Sequence, residues 1–250
     1  QVHFRDPGLT HKEDLRTGSM AAAAGGVTTF FEMPNTKPAT TTIKKLMDKY
    51  DTASKKSIVN YSFFFGATTD NIEEIKKLKG NCGLKIFMGS STGDLLVDND
   101  EALENIFACC DRVIAVHAED EQTLIESSKF IKGEDFSNHT KARPVEAAVR
   151  ATEKAIKLAL KYKRKLHVLH LSTAEEVIMI RKLKSTGLIT CETTPQHLLM
   201  EAPDIYEKIG AFAQMNPPIR SKRHKEELWK GLLDGTINCI ATDHAPHTLE

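Results

Sequence analysis

His117 and His170 each lie near the end of an apolar run, "RVIAVHAE" (112–119) and "KLHVLHLS" (165–172), and Asp243 does the same in "INCIATDHAP" (237–246). His3 stands in "QVHFRDPG", two residues after Gln1. Imidazole and carboxylate are the donors that hold zinc and similar borderline metals, and a carboxylate can also move a proton. Taken singly, each has an ordinary explanation, since a strand histidine is more often a satisfied core residue than a ligand. Their shared position at the same end of separate apolar segments points to a metal site. Strand side chains alternate with period two, so Gln1 and His3 share a face and offer one imidazole where His-x-His would offer two. Lys85 sits inside the apolar run "CGLKIFMG" (82–89), an expensive place for a charge without a task.

The elements that must carry these residues alternate. Strands are expected in 2–4, 26–34, 57–66, 82–89, 112–119, 165–172, 188–195 and 237–246. Amphipathic or alanine-rich helices are expected in 11–24, 42–55, 70–79, 99–111, 144–162, 174–186 and 221–234. Thr173 followed three residues later by Glu176 predicts a capping box at the start of one helix. Several strands are nearly continuous in Val, Ile, Leu and Phe, as parallel strands covered on both faces are. Eight strands with intervening helices predict an α/β fold, a (β/α)8 TIM-type barrel, whose active site lies at the C-terminal ends of the strands. An open doubly wound sheet is the alternative, but no Gly-rich phosphate loop follows the first strand. The candidate residues lie where the barrel reading puts a site: His3 and Arg5 on the first strand, Asn35 after "MPN", Lys85, His117, His170, then Asp243 and His247 in "TDHAPH".

Composition excludes other classes. The 250 residues hold 34 Lys and Arg against 34 Asp and Glu, so there is no electrostatic footprint for nucleic acid or an anionic membrane. The basic clusters "KKLKG" (76–80) and "KYKRK" (161–165) read as solvated helix ends. The five cysteines include no C-x-x-C pair, which supports neither a zinc ribbon nor a disulfide framework and points to a reducing, cytoplasmic location. No apolar run is long enough to span a bilayer. A start other than Met and an end just after a strand suggest a piece of a longer protein.

With these residues in place, the chain resembles the amidohydrolase superfamily, and within it the type I dihydroorotases, over essentially its whole length. The resemblance rests on "VHFRDPGLTHKEDL" (2–15), "AAAAGGVTTFFEMPNTKP" (21–38), "GLKIF" (83–87), "VHAED" (116–120), "HVLHLST" (167–173), "CETTPQHL" (191–198), "MNPPIR" (215–220) and "ATDHAPHTLE" (241–250), in the family's order. It implies a barrel with one or two Zn2+ ions that hydrolyses or forms a cyclic amide, with the family's flanking small β domain absent or truncated. It implies one metal at His3 and Asp243, another at His117 and His170, and an N6-carboxylated Lys85 bridging them. A carbamate offers two anionic oxygens where an ammonium offers none, and a desolvated lysine with a lowered pKa is the form that reacts with carbon dioxide. It further implies that Arg5, Asn35 and His247 hold a substrate carboxylate, that Asn216 contacts substrate, and that Asp243 shuttles the proton.

The substrate so implied is dihydroorotate or carbamoyl aspartate, with allantoin, hydantoins and dihydropyrimidines as alternatives and a catalytically inactive partner subunit as another. A homodimer or association with a pyrimidine-pathway enzyme is also implied. Gln1 departs from the family at the first His of His-x-His, and an amide is a weaker zinc donor than imidazole, so the His117–His170 metal should be the firmer one. The remaining histidines take plain expectations. His167 and His244 face away from the site, His197 makes structural hydrogen bonds, and His11, His139 and His224 meet solvent. Trp229 lies on the core face of its helix.

Overall fold

A computed structural model describes residues 1–90, 95–129, 131, 133 and 135–249; Glu250, at the end of the last motif, lies outside them. The chain forms two compact units, the first from Gln1–Ile86, Thr92–Ile114 and Thr242–Glu250, the second from Phe87–Ser91 and Ala115–Ala241.

In the first unit β1 (Thr29–Glu32), β2 (Asn60–Gly66) and β3 (Gly83–Phe87, its last residue in the second unit) succeed one another. β1 pairs parallel with β2, Thr29 opposite Asn60, and β2 with β3, Phe64 opposite Gly83. Phe30 and Glu32 are buried while their neighbours on β1 are exposed, but every residue of β3 is buried, as a strand covered on both faces must be. Helices Leu15–Ala24, Ile43–Lys56 and Asp100–Cys109 start at side-chain caps from Asp14, Thr42 and Asn99, which satisfy amide groups that have no partner within the helix. Leu15, Leu46, Ala53, Phe63 and Phe65 fill the core, and Phe4 stacks obliquely on Phe30 at 4.7 Å. Within it lies an ion pair, Lys49 Nζ to Glu32 at 2.8 Å, and the same ammonium donates to the Met33 carbonyl.

The strand expected at 2–4 is not a full ladder. Only Val2 pairs, bridging Glu32 and His244. The strand expected at 237–246 likewise shrinks to β7 (Cys239–Ile240) and, in the first unit, the bridge at His244. Arg5 (φ 65°) and Asp243 (φ 49°) have left-handed backbone, which turns the chain out of the extended conformation a ladder requires.

The second unit contains β4 (Ile114–His117, its first residue in the first unit), β5 (Leu166–Val168), β6 (Ile189–Thr193) and β7. β5 and β6 pair parallel with Leu166 opposite Ile189, and β6 and β7 with Glu192 opposite Cys239. Helix Val145–Tyr162 buries Ala147, Ala148, Ala151, Ala155 and Ala159, small side chains that let a helix approach closely. Helix Ala174–Arg181 begins at the expected Thr173–Glu176 capping box, and Glu176 also accepts from Thr152 Oγ1 at 2.8 Å.

Differences from expectation are local. The helix expected over 70–79 covers only Ile72–Ile75, because Asn71 donates its amide to Thr41 and Gly66 carbonyls instead of capping it. Helices Glu121–Ser128, Asn138–Ala142, Pro195–Leu199 and Asp204–Ile209 were not expected. Among the described residues no helix is long and apolar enough to cross a membrane.

Candidate active site

The first unit gathers His3, Arg5, Asn35, Asp243 and His247. His3 Nδ1 lies 2.8 Å from Asn35 Oδ1 and Nε2 lies 3.1 Å from Asp243 Oδ1. Asn35 Oδ1 can only accept, so Nδ1 carries the hydrogen, and Nε2 meets the carboxylate across a proton or a cation. Nitrogen and carboxylate oxygen so placed fit a divalent metal. Lys85 projects from β3 and is 2% exposed. Gln1 presents an amide whose oxygen and nitrogen are both buried without a hydrogen-bond partner among the described residues.

Arg5 is buried; its Nε donates to the Pro246 carbonyl at 3.1 Å and its Nη2 lies 3.0 Å from His247 Nε2. Lys12 Nζ reaches the other ring nitrogen of His247 at 3.1 Å. Burial, then the charges of Arg5 and Lys12, push the His247 pKa down, keeping the ring neutral between two cations. A cavity of about 410 Å³ opens here, lined in part by Arg5, Lys12, Asn35, Lys37 and His247. Next to the lining residue Leu9, Gly8 sits at φ 90°, where a Cβ would stand 1.9 Å from the Lys37 carbonyl oxygen; only glycine allows the "RDPG" turn to lie so close to that loop.

The second unit brings together His117 and His170, with Nδ1 of the first 3.0 Å from Nε2 of the second. His117 Nε2 contacts Glu119 Oε2 at 2.9 Å, and Arg143 grips the same carboxylate through Nε, at 3.0 and 3.2 Å, and through Nη2. Burial alone would push the Glu119 carboxyl up, but His117 and Arg143 prevail and hold it at about 2. An ionised Glu119 accepts the Nε2 hydrogen of His117, which turns the Nδ1 lone pair toward His170. That is how a buried carboxylate orients a metal-binding imidazole, and two facing imidazole nitrogens fit one metal ion. His170 has left-handed backbone (φ 37°). Thus, among the described residues, three of the four non-glycine residues with positive φ, Arg5, His170 and Asp243, are candidate site residues, and such strain concentrates at functional positions. Asn216, also in this unit, hydrogen-bonds the His139 side chain.

Glu119 and Arg143 escaped the sequence reading. Glu119 stands two residues after His117, the spacing that puts side chains on one strand face, and that was the available signal; Arg143 gave none. Two other histidines, His139 and His224, differ from expectation. His139 is half-buried and bonds the Met215 carbonyl at 2.8 Å. His224 is buried and accepts the Ala174 N–H at 3.0 Å, satisfying a free amide at the start of a helix. His167 bonds Thr190 and Glu192. His197 bonds Thr194 and the Pro217 carbonyl, as expected. His244 turns to Glu13.

Residues 1–138 match the family described as dihydro-orotase-like. The chain is 42% identical to the dihydroorotase of Methanosarcina acetivorans over 98% of this chain and 55% of that one. It is 34% identical to the allantoinase of Streptomyces avermitilis over 100% of this chain and 57% of that one. Its fold is similar to that of the L-hydantoinase (dihydropyrimidinase) from Arthrobacter aurescens, with a TM-score of 0.93 and 32% identity over 99% of this chain and 57% of the other. The chain therefore spans little more than half the length of these relatives, and its fold class is the expected (β/α)8 TIM type.

Proposed function

The chain belongs to the dihydro-orotase-like family, and from that premise we propose that it carries the catalytic barrel of a dihydroorotase, interconverting N-carbamoyl-L-aspartate and (S)-dihydroorotate in de novo pyrimidine synthesis. The observation that carries this choice is the cation-lined cavity at Arg5, Lys12, Lys37 and His247, in the same unit as the His3–Asp243 pair. Dihydroorotate bears a ring carboxylate; allantoin, hydantoins and dihydropyrimidines do not. A planar guanidinium matches a carboxylate in two-point geometry, and Asn35 and His247 stand beside it.

Zn2+ is the metal whose chemistry the donor set would fit: His117 and His170 would hold one ion, and His3 and Asp243 another, with Lys85 a further donor when carboxylated. When bound, such an ion polarises a carbonyl and makes hydroxide available near neutral pH. Asp243 removes a proton from the attacking water and delivers it to the leaving ring nitrogen, acting first as base and then as acid. In the synthetic direction the carbamoyl nitrogen loses its proton to Asp243 as the ring closes and water leaves. Glu119 and Arg143 keep His117 in the tautomer that binds. Because Gln1 offers an amide where an imidazole would bind more strongly, the His117–His170 position holds its ion more firmly. The reading places the enzyme in the cytoplasm, as a homodimer or joined to another enzyme of the same pathway.

Purified protein assayed against dihydroorotate, carbamoyl aspartate, allantoin and hydantoin tests this. Turnover of the first two supports it. Turnover of allantoin alone would select the allantoinase reading that the 34% identity also permits. No turnover together with no bound metal would select an inactive partner subunit.

A further inference from the structure

His167 on β5, Glu192 on β6 and Cys239 on β7 lie on neighbouring strands, and their ligand atoms all fall within 4.8 Å of one another. Register explains the convergence. His167 pairs with Thr190, Glu192 follows Thr190 by two and so shares its face, and Glu192 pairs with Cys239. None of the three belongs to the hydrolytic centre assigned above.

Hydrogen bonding leaves this cluster incomplete. Thr190 Oγ1 stands 3.2 Å from the Leu166 carbonyl and 2.9 Å from His167 Nδ1. With the hydroxyl hydrogen on that carbonyl, Nδ1 carries the imidazole hydrogen and Nε2 turns a lone pair to Glu192 Oε2, 3.2 Å away, the tautomer that can bind a metal; with it on Nδ1, the Nε2 hydrogen goes to Glu192 instead. In the first arrangement lone pair and carboxylate repel unless a proton or a metal ion lies between them. Glu192 is 4% exposed, yet its Oε1 has no hydrogen-bond partner among the described residues. A buried carboxylate oxygen left without a donor is costly. Cys239, by contrast, is exposed, which gives an ion a way in.

We propose that His167, Glu192 and Cys239 form a second type of metal site, taking one Zn2+ through imidazole nitrogen, carboxylate oxygen and thiolate sulfur. Thiolate and imidazole select zinc over the hard cations magnesium and calcium. Three protein ligands leave the fourth tetrahedral position to water, and Thr190 holds the imidazole in the binding tautomer. Binding releases the Cys239 proton to solvent. The ion joins three consecutive strands side by side.

Cobalt reads this site separately from the hydrolytic one, because none of the hydrolytic ligands is sulfur. Whole protein, stripped of metal and titrated with Co2+, should develop a near-ultraviolet thiolate-to-cobalt charge-transfer band. That band should vanish in Cys239→Ser, weaken in Glu192→Gln and His167→Asn, and persist in His117→Asn. Zinc content should fall by about one ion per chain in Cys239→Ser. Absence of the band in unmodified protein, or an undiminished band in Cys239→Ser, overturns the proposal. If His167→Asn fails to fold, the exposed Cys239 variant still decides. Turnover of dihydroorotate is scored independently, so failure of one reading leaves the other standing.

Discussion

Asp243 meets His3 through one carboxylate oxygen and occupies backbone that few non-glycine residues adopt. Replacing it by Asn preserves shape and removes the proton acceptor. Asp243→Asn should keep its circular dichroism and lose turnover by about 10²–10⁴-fold; near-normal turnover would eliminate Asp243 as the shuttle. Another acid, Glu32, is wholly buried, and burial outweighs the attraction of Lys49 to push its pKa from 4.5 to about 7. The folded chain therefore holds this proton more tightly than the unfolded chain does. Between about pH 4.5 and 7 the unfolded state has released it and the folded state has not, so this group makes stability fall as pH rises through that window. The full change is up to about 3 kcal/mol. Denaturation measured across the window should show the slope in the unmodified protein and a flatter one in Glu32→Gln; equal slopes would refute the assignment.

Strand–helix alternation was legible because parallel strands covered on both faces read as apolar runs, β3 most plainly. The Thr173–Glu176 box was legible because a cap is a local pattern. Thr173→Ala should cost about 1 kcal/mol in chemical denaturation, since it removes both the cap and a donor to the buried Glu176 carboxylate. Strand ends were less legible. Period-two reasoning carries extension through His170 and Asp243, whereas the backbone turns left-handed at both. The tertiary partners of His139 and His224 lie 76 and 50 residues away, beyond any local pattern. At the turn carrying Arg5, Gly8→Ala drives a methyl group into the Lys37 carbonyl. KM for dihydroorotate should rise more than kcat falls, and an unchanged KM would detach this turn from carboxylate binding.

For the whole molecule, the residues proposed for hydrolysis are His3, Lys85 and Asp243 in one unit and His117 and His170 in the other. The amide of Gln1 stands where the family has an imidazole. Restoring that imidazole by Gln1→His should raise metal content toward about two ions at the hydrolytic centre, measured by elemental analysis in Cys239→Ser protein so that sulfur-bound zinc does not contribute. Two equally tight ions at that centre before the change would refute the reading of Gln1. Residue types and motifs singled out the candidate side chains, and the three-dimensional contacts added Glu119, Arg143 and Lys12, whose partners are supplied by folding.

The first unit takes its last segment from the far end of the chain: His3 bonds the His244 backbone, and Arg5 and His247 are 242 residues apart. During synthesis the second unit is largely translated before those contacts exist. At about 5–20 residues per second, Arg5 waits roughly 10–50 s for His247 to be made. The Arg5–His247 contact thus forms only after translation has passed residue 247. A ribosome stalled before that point displays a nascent chain whose Arg5 lacks His247 and whose His3 lacks Asp243, exposed to chaperones and proteases.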